Sequence, residues 1–210
     1  MYLVRTPWIL KKVYSSYFWN INTQDKIIYL TFDDGPHPTI TNFVLDTLKF
    51  YNAKATFFCI GKNVELYPST YSKIIEQGHS VGNHTQNHLN GWKTLDENYL
   101  NNIEEAAKKI DSKLFRPPYG RITRFQANLL MEAKYNIIMW DVLSGDFDIS
   151  LSKEKCSEDV ILATQPGSIV VFHDSEKAMP RLEYALPKML NFFNNKGYKF
   201  DAINTSLFKQ

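Results

Sequence analysis

Thr31-Phe32-Asp33-Asp34-Gly35-Pro36 follows directly on the apolar run Ile27-Ile28-Tyr29-Leu30. The β-branched and aromatic residues of that run predict a buried strand, which Gly35-Pro36 ends. Two adjacent carboxylates are left at the strand's C-terminal lip, where each makes the other's charge costly unless a cation and a positive side chain stand nearby. Neighbouring side chains at a strand end point different ways, so one Asp can hold a metal ion while the other handles a proton. The competing reading is an Asx-type turn in which both side chains only cap backbone amides.

On either side of this stretch, strand and helix patterns alternate. Val44, Leu45 and Leu48 predict an amphipathic helix after the first strand, and residues 55–60 a second strand. The same reading gives a helix over 67–77 closed by Gly78, a strand over 79–82, a helix over 95–110 and a strand over 113–116 stopped by Pro117-Pro118. It continues with a helix over 124–134, a strand over 137–142, a helix over 154–164, a strand over 168–172, a helix over 182–195 and a seventh strand over 198–203. Such alternation predicts a parallel α/β architecture. Seven units of about 25–30 residues fit a distorted seven-stranded (β/α) barrel, smaller than the usual eightfold one of about 250 residues, with its active site at the C-terminal ends of the strands. A doubly wound open sheet is the other arrangement this order permits. Residues 1–21 lack clear periodicity and are expected to form an extension packed on a single domain over 22–210.

The chain of 210 residues is 44% hydrophobic and 14% aromatic, which excludes a disordered chain and suits one sizeable core. A net charge of +2 without a Lys/Arg cluster gives no footprint for nucleic acid or a membrane surface. The two cysteines, Cys59 and Cys156, have no metal-type partner at short spacing and read as free thiols. Pro7-Trp8-Ile9-Leu10 is too short for a signal-peptide core or a membrane span, which makes the cytoplasm the default compartment.

Chemistry gathers at the C-terminal ends of strands in parallel β/α folds. The predicted ends carry Asp33-Asp34, then His84-Thr85-Gln86-Asn87-His88, then Arg116-Pro117-Pro118-Tyr119-Gly120, then Asp141 with Asp146, and then His173-Asp174. His84 and His88 stand four apart, and a helical turn after the third strand would bring both imidazoles to one side. With Asp34 they make a three-ligand set open to water and suited to Zn²⁺ or another borderline divalent ion, Co²⁺, Ni²⁺ or Mn²⁺. Arg116 is placed to pair with a carboxylate of the site. His173 follows the apolar Ile169-Val170-Val171-Phe172, and a carboxylate such as Asp146 beside it would hold it as a proton donor. Trp92, on the segment between residues 87 and 96, is placed to stack on a sugar ring, although a loop-edge Trp is more often simply packed. Two His and one carboxylate also describe a non-haem iron oxygenase, and a sugar-binding module needs none of the acid and base residues.

Taken together, these motifs in this order resemble the polysaccharide deacetylases of carbohydrate esterase family 4, the NodB-homology domain, over roughly residues 22–205. The resemblance implies metal-dependent hydrolysis of N-acetyl groups on glycans containing N-acetylglucosamine, such as peptidoglycan or chitin-type oligomers. By motif position it implies Asp34, His84 and His88 as metal ligands, Asp33 as general base and Arg116 as its partner. The Tyr119 amide would stabilise the oxyanion, and His173, tuned by Asp146, would act as acid. Pro117, Tyr119, Phe147 and Val171 would line the substrate groove. The family's usual pattern has Asp where this chain has Leu143 and Trp where it has Phe147, which bears on the accepted acyl group. A related amidase acting on a small acylated amine or cyclic amide would use the same residues. Family substrates usually lie outside the cytoplasm, so export or attachment to the cell envelope stands as the alternative to the default compartment.

Overall fold

The central strand β1 (Ile27–Asp33) is buried along nearly its whole length, as a parallel strand covered on both faces must be. Its side chains alternate. Ile28, Leu30 and Phe32 join the apolar layer under the helices, whereas Tyr29 packs with Phe58, Ile138 and Ile169 in a second cluster on the opposite face. Thr31 and Asp33 share the parity of Tyr29, and this places the first carboxylate on the inner face.

The computed structural model describes residues 3–208, and the other strands are β2 (Ala55–Cys59), β3 (Ser80–Asn83), β4 (Leu114–Phe115), β5 (Asn136–Ile137), β6 (Val142–Leu143), β7 (Ile169–His173) and β8 (Lys199–Phe200). They form one sheet in the order β5-β4-β3-β2-β1-β7-β6, with β8 paired to β1. Each of these pairings is parallel, and the result is a curled half-barrel within an α/β fold. The helices are α1 (Trp8–Val13), α2 (Ile40–Phe50), α3 (Gly61–Leu66), α4 (Pro68–Glu76), α5 (Asp96–Ala107), α6 (Arg124–Glu132), α7 (Lys153–Ala163) and α8 (Met179–Asn194). In α2 the buried stripe is Ile40, Thr41, Val44, Leu45 and Leu48, spaced as an amphipathic helix requires. A capping box between Thr123 and Gln126 fixes the start of α6.

Two elements escape sequence periodicity, α1 in the N-terminal extension and α3 directly after β2, because six residues are too few to show a helical repeat. The strand expected over 137–142 is broken into β5 and β6. The physical reason lies in the carbonyls of Ile138 and Met139, which accept hydrogen bonds from the Arg116 guanidinium at 3.0 and 2.9 Å.

Residues of the N-terminal extension cover the gap between β5 and β6. Thr6 N donates to Asp141 O at 2.8 Å, Leu143 N to Val4 O at 2.8 Å, and Met139 N to Phe18 O at 2.7 Å. Asp141 is fully buried and receives Lys11 Nζ at 2.5 Å and Ser168 Oγ at 2.6 Å, with Arg5 Nε 3.5 Å away. Its place at a strand end therefore serves to fasten residues 5–11 to the barrel.

Candidate active site

Asp33 and Asp34 separate as soon as β1 ends. Asp33 Oδ1 accepts from Arg116 Nη1 at 2.7 Å inside the barrel, while Asp34 turns away with a φ of 83°. Neither carboxylate caps the turn. That task falls to Asp174, whose Oδ1 accepts from Gly35 N at 2.9 Å and whose Oδ2 accepts from the Thr41 hydroxyl. A Cβ on Gly35 would stand 2.1 Å from Asp174 Oδ2, so only glycine fits this approach. Burial pushes the Asp174 carboxyl up to about 7.

Arg116, with no exposed surface, is the hub of the inner layer. Beyond Asp33 and the two carbonyls, its Nη1 donates to Thr31 Oγ1 at 2.7 Å, and its guanidinium lies 4.1 Å from the Phe58 ring centroid. Its own carbonyl accepts from His84 Nδ1 at 2.7 Å, which fixes the His84 tautomer and leaves the Nε2 lone pair for a ligand.

His84 and His88 come together without a helix, which corrects the expectation of a helical turn there. Left-handed backbone at Thr85 (φ 65°) and His88 (φ 55°) bends the chain instead. Asn83 Oδ1 holds Thr85 N at 2.8 Å, and Asn102 on α5 takes Gln86 N and Asn87 N at 3.0 Å each. The imidazole centroids end 5.1 Å apart.

Asp34, His84 and His88 each bring one donor atom to a common place, all within 4.8 Å of one another. Asp34 Oδ1 is buried without an aligned hydrogen-bond donor, although His88 Nε2 lies 3.2 Å and His84 Nε2 3.8 Å from it. An orphaned carboxylate oxygen facing two imidazole nitrogens is a donor set that fits a borderline divalent ion. Burial pushes the His84 imidazole down to about 4, against the pull of Asp33, which keeps it neutral as a ligand must be. Burial alone would raise the Asp34 carboxyl, but contact with His88 and the charges of His173 and His84 outweigh it and hold the group below the usual carboxylate range.

His173 ends β7 opposite Asp33 in the register of the two strands. Asp146 grips it twice, accepting from Nδ1 at 2.7 Å and from the backbone N at 2.8 Å. The Asp146 loop is tied in turn by Arg181, whose Nε donates to Asp146 O at 2.7 Å. Burial alone would lower the His173 imidazole, but the Asp146 charge and hydrogen bond, with Asp34 and Asp33 behind them, push it up to about 10.

One cavity of about 690 Å³ joins these groups, with Asp33, Asp34, His84, His88 and His173 on its lining. Pro117, Tyr119, Leu143, Phe147 and Val171 line it as well. Tyr119 adopts a left-handed φ of 61°, and its N–H meets no acceptor among the described residues. The Phe147 ring stands edge-on to His173 at 5.2 Å. Trp92 does not join the cavity: its indole N–H donates to Ile122 O at 2.9 Å, and Arg121 stacks on its ring at 4.1 Å. Sequence reasoning missed a wall of the cavity made by Leu3, Pro7, Leu10 and Trp19, because an aperiodic leader carries no signal of where it packs. No helix among the described residues is long and apolar enough to cross a membrane.

The family model for polysaccharide deacetylase matches residues 20–138. A peptidoglycan-N-acetylglucosamine deacetylase of Bacillus cereus is 35% identical over 195 residues, which span 90% of this chain and 92% of that protein. A chitooligosaccharide deacetylase of Azorhizobium caulinodans is 32% identical over 161 residues, 73% of this chain and 76% of the relative. Among solved structures, the Bc1960 peptidoglycan N-acetylglucosamine deacetylase in complex with 4-naphthalen-1-yl-N-oxidanyl-benzamide shares the fold with a TM-score of 0.87 at 31% identity, over 96% of each chain.

Proposed function

The chain belongs to the polysaccharide deacetylase family, and from that premise we propose that it removes N-acetyl groups from N-acetylglucosamine residues of peptidoglycan, with Asp33 as base and His173 as acid. The observation that carries the reading is the convergence on one cavity of an Arg-paired carboxylate, a two-His one-carboxylate cluster and an Asp-paired imidazole. Peptidoglycan stands before chitin-type oligomers because the relative that matches nearly the full length of both chains is named for it. Such a substrate lies in the cell envelope, so the proposal replaces the cytoplasmic default with action outside the cytoplasm.

Asp34, His84 and His88 would hold the ion, Zn²⁺ first among the borderline divalent metals. When bound, it would supply Lewis-acid chemistry, acidifying water and polarising the acyl oxygen. The residues of the chain do the rest. Asp33 takes the proton of the attacking water, its carboxylate oriented by the Arg116 fork. The Tyr119 N–H receives the charge that develops on the acyl oxygen. His173, charged at neutral pH and held through Nδ1 by Asp146, delivers its Nε2 proton to the departing amine. The test is acetate release from peptidoglycan and N-acetylglucosamine oligomers by metal-stripped protein before and after Zn²⁺ is restored. Release only with metal supports the reading, and an unchanged acetyl content in every glycan refutes it.

The acid role fixes a pH dependence. His173 works protonated, so kcat/KM is lost as pH rises through its elevated value, and the alkaline limb lies well above that of an ordinary imidazole. Asp146→Asn removes the largest opposing charge and leaves burial to act, so the limb moves down by about two pH units or more. A pH–rate profile of the two proteins checks this, and coincident alkaline limbs would remove His173 from the acid role. The same pair affects stability with the sign of a raised pKa: its contribution is complete below about 6.5 and is lost as pH rises through about 10.

A further inference from the structure

We infer that this cavity takes N-acyl groups longer than acetyl, because the structure joins an aliphatic compartment, walled by residues 3–10, to the reacting centre. The inference rests on the deacetylase reading and names its substrate class: an amino sugar bearing a medium-length N-acyl chain.

The wall can be followed residue by residue. Val171 lies two positions before His173 on β7, and Leu143 is its partner in register on β6. Leu143 N then donates to Val4 O at 2.8 Å, so the neighbouring strip is the N-terminal segment, from which Leu3, Pro7 and Leu10 reach the lining. Met139 and Trp140 complete the apolar surface on the side of the broken strand. This wall is held firmly, because the buried Asp141 fastens Lys11, and Thr6 N and Oγ1 bind the carbonyls of Asp141 and Trp140 at 2.8 Å each.

Composition argues for the kind of occupant. A volume of about 690 Å³ holds a drug-sized ligand, far more than a methyl group needs. A sugar chain filling this space would require donors and acceptors for its hydroxyls. Outside the reacting cluster and Tyr119, the polar side-chain groups of the lining are those of Thr6, Arg121, Ser175 and Lys177 with the indole N–H groups of Trp19 and Trp140, and of these the Thr6 hydroxyl is spent on Trp140 O and the Trp19 N–H on Tyr14 O. Trp19, Tyr119, Trp140 and Phe147 give the cavity rings on which a sugar can stack, while Leu3, Leu10, Met139, Leu143 and Val171 add a flexible aliphatic strip, and that strip suits an alkyl chain. The step needs no new reagent. Water adds to the acyl carbon, the C–N bond breaks, the acyl group leaves as its carboxylate, and the amine leaves protonated.

The experiment uses the full chain with Zn²⁺ restored and chitotetraose re-acylated with acetyl, butyryl or hexanoyl groups, read by the appearance of free amine. If the chain lies along the wall, kcat/KM rises by up to about fourfold for each methylene buried, and hexanoyl exceeds acetyl by tenfold or more. Leu10→Asp lowers the hexanoyl-to-acetyl ratio by tenfold or more. Hexanoate, used as a product inhibitor so that no turnover of the long-chain substrate is needed, competes at least tenfold better than acetate. Cleavage of acetyl oligomers with hexanoyl oligomers left intact overturns this inference and leaves the deacetylase reading standing. No amine from any oligomer or from peptidoglycan overturns both.

Discussion

Asp33→Asn lowers kcat for acetate release by about 10²- to 10⁴-fold, the range that a positioned general base contributes. The substitution keeps the shape of the side chain, and its Oδ1 still accepts from Arg116 Nη1, which in the native protein stands 2.7 Å away. What is lost is the capacity to take a proton. The metal cluster is made by other residues, so bound metal stays at the wild-type level. Leaving the buried Arg116 guanidinium without its counter-charge costs up to about 3–5 kcal/mol, or on the order of 10 degrees of melting temperature in a chain of this size, although the neutral hydrogen bond that remains offsets part of it. Assays well below the transition therefore separate chemistry from unfolding. Retention of more than a tenth of the wild-type kcat, with metal content unchanged, would assign the base to another group. A protein that only bound sugar would show no turnover to lose, and its glycan affinity would survive the change.

The site was legible in the sequence to the extent that strand ends advertise themselves. Apolar runs such as 27–32 and 168–172 stop at Gly35-Pro36 and His173-Asp174, and their parity fixes which side chains enter the barrel. The structure pairs Asp33 with Arg116 and Asp146 with His173, whereas the residue pattern alone places Arg116 only beside some carboxylate of the site, and the family resemblance names Asp33. Conformations set by tertiary hydrogen bonds were not legible. The turn after β3 relies on Asn83 and Asn102, and the break after β5 relies on Arg116 drawing two carbonyls off the ladder. The bond from Thr85 N to Asn83 Oδ1 is local, but propensity cannot see the rest of either event, because Asn102 and Arg116 lie 15 to 23 residues from the groups they hold. Asp141 teaches the same lesson. Read at a strand lip it resembles a site residue, yet its three cationic and hydroxyl partners make it the anchor of the N-terminal segment.

Arg116→Met destabilises the protein by about 4 kcal/mol or more, the largest stability effect expected of any single change to the site. The guanidinium is fully buried and spends its donors on Thr31, Asp33, Ile138 and Met139. Methionine fills much of the volume, so cavity formation is a minor part of the cost. The main part is polar. The Asp33 carboxylate loses its cation in a low-dielectric interior, for which breaking a buried pair costs about 3–5 kcal/mol. Two buried carbonyls also lose their donors at about 1–3 kcal/mol each, relieved in part if water enters. Chemical denaturation of wild type, Arg116→Met and the double variant Asp33→Leu with Arg116→Met apportions these terms. The double variant regains stability over Arg116→Met, because removing the orphaned charge cancels the larger penalty, but it does not reach wild type while the carbonyls of Ile138 and Met139 remain unpaired. If Arg116→Met alone costs less than about 2 kcal/mol, the guanidinium is not the keystone of the broken strand, and the path of residues 138–141 must be held chiefly by the N-terminal segment. The double variant decides between these, since only a charge-pair origin gives recovery on adding Asp33→Leu.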